Sequence, residues 1–191
     1  MRNTTAHFII RHSRIQGPKP WTDGPNPSDP SWVPWHQAAY ESGIRLENVR
    51  NGNIENVELT CNWYAIRLNS SDNNIIENCF MSLNNDAIWL RDSDNNRISG
   101  CTLRGNLNHS ISLWSSSHNV AERTTTYNGQ ANYPYQSSQN TFTNCIVRYN
   151  YIGISFSYSP YNTLEYCTIE NNRASDITYL ETDPSTITII P

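Results

Sequence analysis

The chain has 191 residues, a formal net charge of -4 and only 16% charged side chains, so it carries no basic field to hold a phosphate backbone, and nucleic acid is not expected as a partner. Its hydrophobic fraction of 37% is low for a protein ordered by a thick globular core, yet 6 Trp and 11 Tyr are more aromatic residues than a disordered chain carries. No apolar run is long enough to span a bilayer as a helix, and residues 1–16 alternate charged and apolar side chains rather than forming a signal h-region, so no membrane association is expected.

Residues 7–16 read as the first strand-forming stretch, with Ile10 standing two repeats ahead of Ile54. Residues 17–42 then read as one long insertion. It holds Pro18, Pro20, Pro25, Pro27, Pro30 and Pro34 together with Trp21, Trp32 and Trp35. Proline stiffens such a loop, and idle tryptophan is costly in water, so the insertion is expected to wall a groove; packing over the coil or capping it is the alternative.

After the insertion one period dominates. Asn62, Asn84, Asn106, Asn128, Asn150 and Asn172 are 22 residues apart at every step. Apolar columns keep the same step: Ile54, Ile76, Ile98, then Phe142 and Leu164; Leu59, Met81, Leu103, then Val147 and Ile169; Ile44, Ile66, Ile88, Ile111 and Ile154. A further column reads Val57, Cys79, Cys101, Thr124, Cys145 and Cys167, and the coil near 107–128 slips by one residue before recovering. Within a coil the apolar residues come two apart, as in Ile66 and Leu68, which is strand spacing with one face inward. Strands repeating in phase cannot pair as hairpins, because an antiparallel partner would reverse the order of side chains. They stack in parallel, roughly 4.8 Å apart, and parallel crossovers are overwhelmingly right-handed. The predicted fold is all-β: a single right-handed parallel β-helix domain over 1–191 with about 22 residues per coil. Asn74, Asn96, Asn119, Asn140 and Asn162 are expected at a turn in left-handed conformation, bonding the coil above, and Asn56, Asn78 and Asn144 at a second bend. The stacked cysteines read as buried apolar fillers, with Cys61 outside their column. Residues 177–190 begin another coil, with Ile177, Ile187 and Ile190 in place, and neither end shows a polar cap, so further domains or self-association are expected there.

The segments Ala65-Ile66-Arg67-Leu68, Ser70-Ser71-Asp72-Asn73-Asn74 and Ile76-Glu77-Asn78-Cys79 resemble the right-handed β-helix repeats of the pectate-lyase-like superfamily, and those of the carbohydrate-processing repeat family that includes the periplasmic NosD proteins. The resemblance spans nearly the whole chain. It implies an exported protein, extracellular or periplasmic, in keeping with the scarcity of Lys, and a substrate groove along the first strand of each coil. Carried onto this chain, the outward residues of that strand are Arg45, Arg67, Trp89, Ser112, Tyr133 and Ser155, with Glu47, Asn69, Arg91, Trp114, Tyr135 and Ser157 beside them. Flat aromatic faces suit sugar rings, and arginine suits the carboxylates of acidic sugars, so Arg45, Trp89, Trp114, Tyr133, Tyr135 and Trp35 of the insertion are the expected substrate-binding residues. Arg45 and Arg67, one rung apart, should repel unless an anion lies between them.

Asn85-Asp86-Ala87-Ile88 and Asn108-His109-Ser110-Ile111-Ser112 are similar to the D-D-C/A-I and G-H-G-I-S motifs of polygalacturonase-type hydrolases. Trp63-Tyr64-Ala65 stands where N-T-D-G should, the second Asp and the R-I-K motif are missing, and inverting hydrolysis needs separate acid and base carboxylates. A lyase route would pair Arg67 or Arg91 with a sugar carboxylate and use His109 or a Tyr to move the proton; Asp86, His109, Arg67 and Arg91 are therefore the catalytic residues expected if the chain is a polysaccharide lyase or glycoside hydrolase. No D-P-H of the alginate epimerase type occurs. Asp72 and Asp94 stack one coil apart with Asp92 close by, an arrangement that would suit Ca²⁺ but is first read as solvated surface charge; no metal ligand set and no other cofactor is expected. The expected function is binding, with or without cleavage, of an extended acidic polysaccharide, and the competing reading is a non-catalytic structural or fibre module.

Overall fold

The computed structural model describes residues 1–17 and 42–191, so the insertion read at 17–42, Trp35 included, lies outside the described residues but for its two end positions. The described chain is a right-handed parallel β-solenoid of about 7 coils. Its strands form three parallel sheets of eight, eight and seven strands, each inner strand paired with its equivalents in the coils below and above. The first sheet holds the long strands, among them Ser42–Val49, Tyr64–Asn69, Asp86–Arg91, His109–Trp114, Ala131–Tyr135 and Ile152–Ser157.

The apolar columns meet as their spacing requires. Ile44, Ile66, Ile88 and Ile111 pair rung on rung in the first sheet, Ile54, Ile76, Ile98, Ala121, Phe142 and Leu164 in the second, and Leu59, Met81, Leu103, Thr126 and Val147 in the third. Period-two alternation sends these side chains into one core running up the axis, and most of them are wholly buried. The slipped coil is the irregular one. Thr124, Thr126 and Asn132 put polar groups into its core, where Asn132 Nδ2 donates to Thr126 Oγ1 and to the Gly153 carbonyl, both at 3.1 Å. At the last coil a 3₁₀ turn over Pro184–Thr186 intervenes; Ile189 pairs with Leu164 and Ile190 with Glu165, while Ile187 is buried in the core.

At the corners the backbone leaves one N–H per turn with no strand partner, and a side-chain oxygen of the next coil takes it. Asn74 N–H donates to Asn96 Oδ1, Asn96 to Asn119, Asn119 to Asn140 and Asn140 to Asn162, each at 2.8–2.9 Å, and the amide nitrogens donate onward along the same stack. A serine stack does the same one corner away, from Ser71 through Ser93, Ser116 and Ser137 to Ser159. Two expectations need correcting. The left-handed residue at the first of these corners is the one before the ladder, Asn73, Asn95, His118, Gln139 or Tyr161; Asn56, Asn78 and Asn144 do adopt the left-handed bend expected of them. Asn128 is not in the Asn62 column: the extra residue of the slipped coil moves it to an exposed left-handed corner with φ 55°, and Gly129 takes the ladder position, donating its N–H to Asn150 Oδ1 at 3.0 Å.

All five cysteines are free thiols, and Cys79, Cys101 and Cys145 are buried. Contact with its stacked partner Cys79, then burial, holds Cys101 well above the usual thiol range, and Cys145 is raised by Cys167 and by burial in the same way. Such thiols act as apolar packing. On the second sheet Glu122 accepts from Arg97, Ser99 and Arg123, and these bonds, that from Arg97 first, bring its carboxyl down to about 2.

Truncating Asn96 to Ala leaves the Asn74 backbone N–H and the Ser71 and Asp94 carbonyls without their partner and should destabilise the fold by about 2–4 kcal/mol in urea titration, whereas Asn128→Ala, which loses only asparagine's tolerance of a left-handed corner, should cost about 1 kcal/mol or less. Because the folded-state pKa of Glu122 lies below its unfolded value, its contribution is present above the unfolded pKa and is lost as pH falls toward 2. Glu122→Gln should therefore lower Tm by about 1–3 °C at neutral pH, with the gap closing on acidification in a thermal-melt series.

Candidate functional site

The first sheet carries the site, because its strands are the longest and their outward residues stack in register. Arg45 lies beside Arg67, Arg67 beside Trp89, Trp89 beside Ser112 and Ser112 beside Tyr133, with Asn69, Arg91, Trp114, Tyr135 and Ser157 in the parallel row. Neither row is open along its whole length. Ser112 and Ser157 are fully buried, and Ser112 Oγ accepts from Trp114 Nε1 at 2.9 Å, so the indole folds back across the serine.

Aromatic rings cover the rest. Trp89 meets Tyr64 at 5.3 Å between centroids, and the Arg67 guanidinium lies over both rings, 4.6 Å from Trp89 and 5.2 Å from Tyr64. Higher up, His109 stacks on Tyr133 at 5.0 Å, Trp114 meets Tyr135 at 4.6 Å, and Tyr135 continues to Tyr158 at 5.9 Å. The anion that Arg45 needed is Glu47, which pairs with it and also takes Arg2 Nε at 2.5 Å. Arg67 makes no ion pair among the described residues, and its Nε is buried without a hydrogen bond. Burial holds the Arg67 guanidinium below its ordinary value, with Tyr64 opposing and Arg45 adding to the shift. A cation so placed favours an anionic ligand.

Asp86 and His109 come together as the opening residues of neighbouring strands. Asp86 Oδ1 accepts from His109 Nδ1 at 3.0 Å, from the His109 backbone N–H at 2.9 Å and from Asn108 Nδ2 at 3.1 Å, and Asp86 Oδ2 accepts from Asn85 Nδ2 at 3.0 Å. The carboxylate is 4% exposed and saturated with donors, so its part is to orient the imidazole. A carboxylate can only accept here, so Nδ1 carries a ring proton, and in the neutral imidazole the lone pair is the one on Nε2. The register shift between His109 and Ser112 is a bulge that resets this strand against its upper neighbour at the point where the imidazole leaves the sheet.

Arg67 and Arg91 stay apart from this pair. Arg67 lies two rungs below His109 and Arg91 at the far end of its strand, on the order of 10 Å or more from His109 along the backbone, and Arg91 Nε faces Asp92 at 3.4 Å. The acidic stack is likewise engaged by the chain: Asp72 accepts the Asp94 N–H at 2.9 Å and pairs with Arg50 at 3.1 Å, while Asp94 accepts the Ser117 N–H at 2.6 Å. Among the described residues no three His, Cys, Asp or Glu side chains converge on one point. Sequence reasoning passed over Tyr64, which it read only as a departure from a motif, and over Asn85 and Asn108 as partners of Asp86; stepping 22 residues from Asp86 to Tyr64 is the signal that finds the first.

Long-range nitrogen-proton correlation NMR should report the Nδ1-protonated tautomer of His109 at neutral pH, and Asp86→Asn should abolish that preference. A parent spectrum dominated by the Nε2-protonated form would contradict the arrangement.

No curated protein sequence matches the chain. Among solved structures, a protein proposed to be a glycosyl hydrolase from Parabacteroides merdae aligns at 9% identity over 75% of this chain and 80% of its own, with a TM-score of 0.35. An alginate lyase from Paenibacillus sp. aligns at 8% identity over 79% of this chain and 77% of its own, with a TM-score of 0.37. At such values neither says anything about the activity of this chain. Among the described residues no helix is long and apolar enough to cross a membrane. The family described as the right handed beta helix region matches residues 3–134, which is more than half of the sequence, and the chain belongs to that family.

Proposed function

We propose that this chain binds an extended acidic polysaccharide across its first sheet. The observation that carries the reading is Arg67, a cation with no ion pair among the described residues, set over the rings of Trp89 and Tyr64 on a flat parallel sheet. Its neighbour Arg45 is neutralised by Glu47, so the site presents one charge framed by aromatic faces. Sugar rings stack on such faces, and a uronate carboxylate answers the guanidinium with paired hydrogen bonds. Tyr133, Trp114 and Tyr135 extend the surface two to three rungs higher, the reach of a polymer.

A catalytic reading of the same face rests on the Asp86–His109 pair. With Nδ1 held by Asp86, His109 Nε2 is a proton acceptor beside the Tyr133 ring, and abstraction of the proton next to a uronate carboxyl would start β-elimination. Hydrolysis has less support: its acid and base carboxylates must stand apart, and Asp86 is occupied by four donors. An exported location fits this reading.

The test is affinity electrophoresis in gels containing pectin or alginate, with a neutral polysaccharide as control. Trp89→Ala with Tyr133→Ala should weaken retention on the acidic polymers by about tenfold or more, and Arg67→Gln should erase the preference for them over the neutral one. Unchanged mobility in both variants would leave the structural-module reading in its place. Ultraviolet absorbance during incubation with the same polymers reads the unsaturated product; if it rises, His109→Gln should stop the rise.

A further inference from the structure

Where Gly129 interrupts the asparagine ladder, the surface opens. Asn62 and Asn84 each donate their backbone N–H to the asparagine Oδ1 of the next coil, at 2.9 and 3.1 Å. Asn106 would do the same, but Gly129 brings no side chain to accept it. Above the gap lies a cleft of about 330 Å³ between the turns of successive coils, lined by Leu107, Gln130, Tyr149, Tyr151 and Arg173 as well as by Gly129 itself. This volume is at the small end for ligand pockets and suits one sugar ring rather than a polymer.

Three observations point to what it would hold. Tyr149 and Tyr151, 56% and 49% exposed, offer aromatic faces on either side of Asn150, and Leu107 adds an apolar wall. Arg173 is exposed and makes no ion pair among the described residues. Behind Gly129, the Ser110 hydroxyl is buried with no hydrogen-bond partner and lies 3.1 Å from the point a Cβ on residue 129 would occupy, beside the Asn106 carbonyl at 3.2 Å. A buried hydroxyl of this kind is costly unless something reaches it.

We propose that this cleft is a separate subsite for a single uronate unit, a chain end or side branch, with its carboxylate on Arg173, its ring against Tyr149 or Tyr151 and its hydroxyls directed to the polar floor that Gly129 exposes. The cleft sits at the corner leading into the first sheet, off the aromatic surface. It rests on the same carbohydrate reading, but its residues are different, so the two can fail separately.

The experiment is a backbone amide NMR titration of the full chain with galacturonic acid, using galactose as the neutral counterpart. Galacturonic acid should shift the amides of Asn106, Gly129 and Tyr151, and galactose should bind about tenfold more weakly. Arg173→Gln, an exposed change, should reduce the affinity by a similar factor, and Gly129→Asn, which restores the ladder and covers the polar floor, should reduce it as well. Should Gly129→Asn fail to fold by circular dichroism, Arg173→Gln decides alone. Equal shifts with both sugars, or undiminished binding in Arg173→Gln, would overturn the proposal. Shifts that survive Trp89→Ala while polymer retention is lost would support the cleft as a site distinct from the sheet. Shifts at the cleft in a parent that no acidic polymer retains would support the cleft and remove the reading of the first sheet.

Discussion

Everything in this structure depends on one requirement: at each corner, a backbone N–H that the strands cannot satisfy must find an oxygen on the coil above. A buried amide hydrogen without a partner costs about 1–3 kcal/mol, and the solenoid has such a corner in every turn. Asparagine and serine meet the demand because each offers an oxygen to the coil below and donates to nearby carbonyls; Asn96 Nδ2 reaches the Asp94 carbonyl of its own coil and the Ser71 carbonyl of the coil below, as well as Asn119 Oδ1 above. The requirement locks the register, since a slip of one residue would orphan a whole stack. That locked register brings Asp86 against His109 and Arg67 under Trp89, pairs 23 and 22 residues apart in sequence.

Polar ladders and the apolar core therefore divide the labour. Side chains such as Ile66, Ile88 and Leu90 supply the loss of apolar surface from water, which drives folding but tolerates sliding. The amide and hydroxyl stacks contribute specificity of position. Where the ladder fails, at Gly129, the neighbouring core is also irregular: Asn132 is buried there against Thr126, in the column that isoleucine fills in other coils. Surface chemistry gathers around that coil, with the bulge beside His109 on one side and the open cleft on the other.

Much of the fold was legible because a fixed period turns sequence distance into spatial contact. The isoleucine and cysteine columns needed only their spacing of 22, with one coil slipped by a residue, to be stacked correctly. The asparagine column was legible only up to the slip: Asn128 kept the arithmetic but lost the ladder, because the extra residue of that coil is absorbed between Asn106 and Gly129. The serine stack escaped notice since serine is common and its period is shared with the more conspicuous asparagine beside it. At the site, neighbours within the register were foreseeable, as with Asp86 and His109. What charges do to one another was not: that Glu47 would claim Arg45 and leave Arg67 alone depends on side-chain reach, which spacing does not encode.

The left-handed corners carry a consequence for how such a protein can change. They recur coil after coil, as at Leu83, Gly105, Asn128 and Tyr149, and mostly without glycine, so the main chain reverses there with many different side chains that are not branched at Cβ. In sequence the insertion falls between the strands Arg14–Gln16 and Ser42–Val49, at this same corner, and both strands still pair with the coil above. Corners are thus the graft points of the architecture: new chain can be spliced in, or a surface residue exchanged, without the rungs on either side having to accommodate it.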